Sequence, residues 1–326
     1  MSISTVVSRF RLLIIVLLLG AVLSILYPRF LTAGNLSNVL WSICVIAIMC
    51  TGAIYAPITG GIDLSVGSVA AIAGIVVNYF MNTAGLPTGI SLILTIAVGL
   101  LIGLFNGIVV TKFKVHGFIV TMAAKTYLFG LAMYISDGAW IAITGPKDFL
   151  EIGGGKLLGL PIPIYIMLAI ALLSHGLLKY TVYGRQVIAV GANDVTARLS
   201  GVNSDRTKMI AYALSAGTAT IAGIVMTSIA QQAYAVAAQG YELNVITALV
   251  VGGTSLLGGS GSVVGALLGA IMVGFIDNGL NLMNVEAAYH PIVTGVVIIV
   301  ALILNNGFEL PKYLQRKAKL MKQAAH

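Results

Sequence analysis

The stretch GGIDLSVGS, residues 60–68, sets one carboxylate, Asp63, among glycines and small residues, with mostly apolar sequence on either side. A charge at the centre of a membrane costs about 2.5–3.5 kcal/mol on insertion scales, so such a residue needs a setting that tolerates it. Two settings fit. Asp63, with Ser65, can stand at a helix break or at a helix N-terminus, where free N–H groups and the positive end of the dipole favour a carboxylate. Alternatively it can touch a passing solute. Lys125 is a second charge inside an apolar run, about ten ångströms from that run's end at 1.5 Å per residue. It either snorkels to the nearer interface or faces a pore or an acid. Asp277, Asn278 and Asn281 form a third polar group, with 277 and 281 on one helical face. They can hydrogen-bond between helices or line an outer vestibule.

Enzymatic chemistry finds less support. Ser260 lies in GGSG, a form seen around intramembrane protease serines, and His175 and His290 are the available bases. By the topology below, Ser260 and His290 fall near opposite faces of the membrane, so this reading is a remote alternative. No metal-ligand spacing, P-loop or dinucleotide fingerprint occurs, so the sequence points to no catalytic residue, no metal and no cofactor bound by this chain. Cys44 and Cys50, six residues apart in one apolar run, are read as two small core residues.

The elements that must position these groups are membrane helices. The 326 residues are 59% hydrophobic and 9% charged, with a mean hydropathy of +1.02. A soluble domain carries roughly a quarter charged residues. The fold class is therefore an all-α polytopic membrane protein, a single transmembrane domain over 1–326. Apolar runs of spanning length mark about ten helices: 10–27, 38–59, 64–82, 90–110, 118–136, 162–180, 208–231, 243–258, 262–284 and 289–306. The first, with its basic flank and no small-residue cleavage site, is read as an uncleaved helix and not as a signal peptide. The eighth is short and rich in glycine.

The net charge of +8 does not point to nucleic acid, because the basic residues lie between apolar runs and at the ends. With the N-terminus inside, the inner segments hold Arg9, Arg11, Lys112, Lys114, Lys179, Arg185, Arg198, Arg206 and Lys208, and a basic tail over 307–326 adds Lys312, Arg316, Lys317, Lys319 and Lys322. The outer segments hold only Arg29, Lys147 and Lys156. This positive-inside bias puts both termini in the cytoplasm.

Two glycine ridges, Gly99–Gly103–Gly107 and Gly261–Gly265–Gly269, suit close helix packing in lipid, within the chain or in a dimer. GGIDLSVGS is echoed by GGTSLLGGS at 252–260, five of nine residues being identical, which points to a two-fold internal repeat with broken helices. The inner segment, 181–207, holds a short helix that Asn193 can cap, Asp194 can start and Gly201 can end. Val195 and Leu199 form its small apolar face beside Arg198. A helix of about seven residues is not stable alone in water, so it lies against the protein or docks into a partner.

With these residues in view, the sequence resembles the permease subunits of bacterial ABC sugar importers, the ribose-type branch. The resemblance rests on GGIDLSVGS, FIVTMA at 118–123, YGRQVIAVGANDVTARLSGVN at 183–203, the long segment 240–270 and DNGLNLMNV at 277–285. It implies a multi-pass protein of the bacterial inner membrane and an importer for a monosaccharide or related polyol. It also implies three partners: an ABC ATPase that uses ATP and magnesium, a periplasmic sugar-binding protein and a second permease copy, the same or a sister chain. The segment with Arg185, Asn193, Asp194, Val195, Arg198, Leu199 and Gly201 would couple to the ATPase. Against the family pattern, Asn244 stands where Asp is common, Asp277 where Asn is common, and Lys125 where no lysine is expected. The rival reading in another class is a stand-alone ion-coupled secondary transporter, with Asp63 or Asp277 as its coupling carboxylate.

Overall fold

The computed structural model describes residues 3–143 and 146–305. The basic tail over 307–326 lies outside them. The chain runs α1 (Ile3–Leu26), α2 (Ala33–Ala53), α3 (Tyr55–Ile58), α4 (Val66–Asn78), α5 (Thr88–Lys112), α6 (Gly117–Ile135), α7 (Lys147–Gly154), α8 (Ile162–Tyr180), α9 (Val182–Ala192), α10 (Asp194–Leu199), α11 (Ser204–Ala230), α12 (Tyr241–Val251), α13 (Val263–Leu282) and α14 (His290–Asn305). Two two-residue ribbons complete it: β1 (Ile141–Ala142) with β4 (Gln232–Ala233), and β2 (Lys156–Leu157) with β3 (Leu160–Pro161), both antiparallel.

Among the described residues, seven helical segments are long and apolar enough to cross a membrane, and three shorter apolar helices lie at 12–26, 241–251 and 290–300. These match the ten expected runs, with corrections. The second run is two helices, because the backbone turns at Ile54 and α3 contains Pro57, which has no N–H to give. The eighth ends at Val251 and not at 258. Its last residues form a turn-rich loop that Gly252 and Gly253 open. The inner segment carries α9 in addition to the expected short helix.

The centre of the bundle is α11, packed along α5, α2 and α4. Its inward residues are small: Ala211, Ser215, Ala216, Ala219, Thr220, Ala222 and Gly223 are all buried. In lipid there is no hydrophobic drive between helices, so close backbone approach and dispersion hold them. The first glycine ridge supplies that approach. A Cβ on Gly99 would strike Thr220, on Gly103 the Tyr212 carbonyl and Ala216, and on Gly107 Met209, all on α11. The second ridge packs in the same way. Gly265 meets Gly252, Gly269 meets Ala248 of α12, and Gly261 meets Ile58. Both ridges are thus spent inside the chain. Cys44 and Cys50 are free and buried.

The outward faces of α5, α6 and α8 carry exposed leucine, isoleucine and phenylalanine, as lipid contact requires. At the end away from the basic segments, α7 caps α11. Phe149 is fully buried, the Ser228 hydroxyl donates to the Phe149 carbonyl at 2.6 Å, and the Gly153 N–H donates to Ser228 Oγ at 2.8 Å. Trp140 stacks on Tyr234 at 4.5 Å where β1 meets β4.

Candidate functional site

The descending helix α2–α3 stops where Gly60 takes a left-handed conformation, φ +81°, which a residue with a side chain rarely adopts. Residues 61–65 form no regular element, and α4 restarts at Val66. Asp63 organises the restart. Its Oδ1 accepts from the Ser65 N–H at 2.9 Å and from the Ser65 hydroxyl at 2.6 Å, and its Oδ2 accepts from the Ser215 hydroxyl of α11 at 2.6 Å. The Asn106 amide of α5 donates to Ser65 Oγ at 3.4 Å. The Leu64 N–H donates to Thr121 Oγ1 of α6, whose hydroxyl lies 3.1 Å from the Ile62 carbonyl. Asp63 therefore sits at a helix break, 5% exposed, with its charge spread over donors from the break and from α11. Thr121, Ser215 and Asn106 complete this network. Single hydroxyls and an amide in apolar helices carry no motif, so the sequence alone does not single them out.

A second break follows α12. Gly252 closes the helix, Gly253 is left-handed at φ +83°, and α13 starts when Ser262 Oγ accepts from the Gly265 N–H. By backbone conformation Gly60 corresponds to Gly253, so the echo read from the sequence is displaced by one residue. The second loop is also longer, and Asp63 has no acidic counterpart there.

The two breaks meet at the C-terminal end of α9. The Gly259 N–H donates to the Ile58 carbonyl at 2.9 Å. Gly191 packs against both: a Cβ there would overlap the Ile58 carbonyl and the Gly259 nitrogen. Gly258, at φ +99°, lies against the Gly191 carbonyl. Three residues beyond Gly191 the chain enters α10.

Asn193 caps α10, its Oδ1 accepting from the Thr196 N–H at 2.9 Å, and Gly201 ends the turn at φ +84°. Ala197 is buried toward the protein, while Val195 and Leu199 are 68% and 84% exposed. Five charges hold the helix. Asp194 bonds Lys208 of α11 at 3.1 Å and lies 3.3 Å from Arg198, and Asp205 of α11 pairs with Arg198 and, at 3.8 Å, with Lys112 of α5. Burial raises the Asp194 carboxyl, but Ser204, Lys208 and Arg198 outweigh it and hold the group below its ordinary value of 3.8. Arg185 is exposed on α9. Beside α10 a cleft of about 650 Å³, bounded by Thr59, Gly60, His116, Lys208 and Tyr212, leads back to the first break.

Lys125 finds an acid: its Nζ lies 2.5 Å from Oε1 of Glu242, which is 3% exposed in the first turn of α12. Glu242 has no motif around it, and its only signal in the sequence is an acid at the edge of an apolar run. Asn278 and Asn35 exchange hydrogen bonds of 2.8 and 3.1 Å. The Asn244 amide reaches Asp277 Oδ2 at 3.5 Å. Asn281 is exposed. Ser260 has neither His175 nor His290 among its hydrogen-bond partners in the described residues: His290 lies against the Val285 carbonyl and His175 against the Tyr180 ring. No cluster of metal-binding side chains occurs among the described residues.

Comparison with known proteins fits this arrangement. No solved structure matches the chain. Residues 35–302 match the family described as branched-chain amino acid transport system / permease component. The chain is 38% identical over 300 residues to the ribose import permease protein RbsC of Haemophilus influenzae, covering 91% of this chain and 92% of the relative. It is 36% identical over 289 residues to the RbsC of Bacillus subtilis, covering 88% and 89%. It is 33% identical over 301 residues to the L-arabinose transport system permease protein AraH of Escherichia coli, covering 91% and 90%. With a family match over most of its length and relatives above 30% identity along nearly all of both chains, this multi-pass membrane protein belongs to that permease family, a family of transport components and not of enzymes.

Proposed function

We propose that this chain is the membrane-spanning subunit of an ATP-driven importer for a monosaccharide or a related polyol. An ABC ATPase docks on α10, a periplasmic binding protein delivers the sugar to the opposite face, and a second permease copy, identical or a sister chain, completes the path. The observation that carries this reading is α10 itself. A six-residue helix projects two apolar side chains, Val195 and Leu199, into solvent at the basic end of the bundle. Such a helix does not hold itself. Capping, a buried Ala197 and five charges fix it in place, so its free face is presented rigidly. The ribose and L-arabinose named for the relatives support a sugar as the cargo.

The mechanism follows from the connections. Closure of the ATPase on ATP moves α10. Its neighbour α9 carries that displacement to Gly191, and from there to the Ile58 carbonyl and the Gly258–Gly259 turn. Both helix breaks therefore receive one input. Broken helices survive at membrane depth only where protein or a cavity surrounds them, and they are the hinge points at which the bundle can reorganise. A secondary transporter would need a midplane carboxylate that exchanges an ion with water. Asp63 is enclosed and already accepts three hydrogen bonds, which disfavours that role.

The test is Leu199→Asp, alone and with Val195→Asp, in the assembled transporter. Neither side chain supports the fold, so the variant is expected to reach the membrane with wild-type thermal stability. It should lose its ATPase on gentle purification and take up sugar at least tenfold more slowly. Full retention of the ATPase with unchanged uptake contradicts the proposal.

A further inference from the structure

Between α4, α6 and the approach to α12 lies a cavity of about 150 Å³, separate from the cleft beside α10. It is roughly an order of magnitude larger than a single water needs. Lys125, Thr126 and Phe129 of α6 line one wall, and Gln239 and Glu242 line the other. Gly67, in the first turn of α4 beyond the break, forms the floor. A Cβ there would collide with Glu242 Oε2 and the Ala238 carbonyl, so the missing side chain is what leaves room for the carboxylate. Lys125 stands about two turns into α6, some 12 Å from its basic end, so the cavity lies at membrane depth.

The bland account is a structural ion pair. It leaves one fact unexplained. Glu242 Oε1 meets Lys125, but Oε2 is buried and has no hydrogen-bond partner among the described residues. A buried carboxylate oxygen without a partner is costly, about 1–3 kcal/mol or more for a charged group. A sealed structural pair is normally completed by further donors. Here Glu242 is one of the residues that line the cavity, and the Lys125 side chain on the facing wall is 40% exposed. Charges at membrane depth face the protein interior or water and not lipid.

We propose that this cavity is a sugar subsite on the translocation path, an inference that rests on the importer reading above. A monosaccharide presents hydroxyls that both donate and accept, and an apolar C–H face. The Glu242 carboxylate accepts from one hydroxyl, the Lys125 ammonium donates to a neighbour, Gln239 and Thr126 can do either, and the Phe129 ring meets the C–H face. One charge of each sign, mutually neutralised, suits a neutral polyol and offers an ionic solute little. The exposed position of Thr126 and Gln239 makes the contact reversible, as a path requires.

The experiment uses the full transporter in proteoliposomes. Both native cysteines are buried, 1% and 0% exposed, so background labelling is low. Thr126→Cys and Gln239→Cys are each treated with a charged, membrane-impermeant thiol reagent, with D-ribose, with L-arabinose, or with glycine betaine at equal osmolality. Both cysteines should react, and one of the sugars, but not betaine, should slow the reaction at least threefold. Sugar uptake is then measured for Glu242→Gln and for the apolar pair Lys125→Met with Glu242→Leu, each checked for retained ATPase. Both should fall at least tenfold. Labelling only by a lipid-permeable reagent, absence of protection by either sugar, or wild-type uptake by the apolar pair overturns the subsite. If the wild-type transporter itself imports no monosaccharide, the importer reading has failed and not only this one.

Discussion

The Gly259 N–H donates to the Ile58 carbonyl across 2.9 Å and joins the two places where this bundle's helices break, 201 residues apart in sequence. Gly191, at the end of α9, closes over that bond. The contact needs three backbones within van der Waals distance, which a side chain at 191 prevents. Gly191→Val is therefore expected to force α9 away from both breaks. The ATPase should remain bound, because the free face of α10 is untouched, while stimulation of ATP hydrolysis by the sugar-loaded binding protein falls severalfold. Unchanged stimulation in the purified complex would show that α9 transmits nothing through this junction.

Asp63 is expected to act on stability first. Asp63→Ala leaves the Ser215 and Ser65 hydroxyls and the Ser65 N–H without their acceptor, and each unsatisfied buried group costs about 1–3 kcal/mol. The melting temperature in detergent should drop clearly for Asp63→Ala and less for Ser215→Ala. An Asp63→Ala protein that melts like wild type but has lost sugar uptake would move Asp63 from the scaffold to the solute path.

The glycine ridge separates two glycines that look alike in sequence. A Cβ on Gly103 meets the Tyr212 carbonyl and Ala216, whereas one on Gly176 meets nothing within 4 Å. Gly103→Ala should destabilise, since overpacking a tight interface costs about 1–3 kcal/mol. Gly176→Ala should be neutral or stabilising, because alanine is the better helix former by about 1 kcal/mol. Thermal melts of the two variants give opposite signs if α5 and α11 pack as described.

The anchoring of α10 carries a pH signature. Asp194 has a folded-state value below its ordinary 3.8, so its contribution is complete above about pH 4 and drains away as the pH falls through the lowered value. Hydrogen exchange of the 194–199 amides, corrected for the intrinsic rate, should show protection that weakens below about pH 4. Asp194→Asn should weaken it at neutral pH and remove the dependence.

Much of this protein was legible in its sequence, for a physical reason. Lipid forces every span to be apolar, and it makes each exception visible. The spans, the basic end and the breaks at Gly60 and Gly252 follow from that contrast, while the caps at Asn193 and Gly201 follow from residue type. What the sequence could not supply is pairing across distance. Glu242 is one acid among ten, and only the fold puts it 2.5 Å from Lys125. The Asn244–Asp277 contact is hidden in the same way, as is the meeting of Ile58, Gly191 and Gly259, which brings together one carbonyl and two of the chain's 38 glycines. The internal echo is displaced by one residue because the left-handed glycine, Gly60 in one break and Gly253 in the other, does not fall at the same place in the two GG pairs.

On the proposed mechanism, ATP used by a partner seated on α10 drives sugar through this chain. The direct measurement is uptake of labelled ribose and L-arabinose into proteoliposomes that hold the chain, its co-purifying ATPase and the sugar-binding protein, with and without ATP, and with an imposed proton or sodium gradient. Uptake that requires ATP and the binding protein and ignores the gradients is the expected result. Uptake by the chain alone, driven by an ion gradient without nucleotide, would contradict the account.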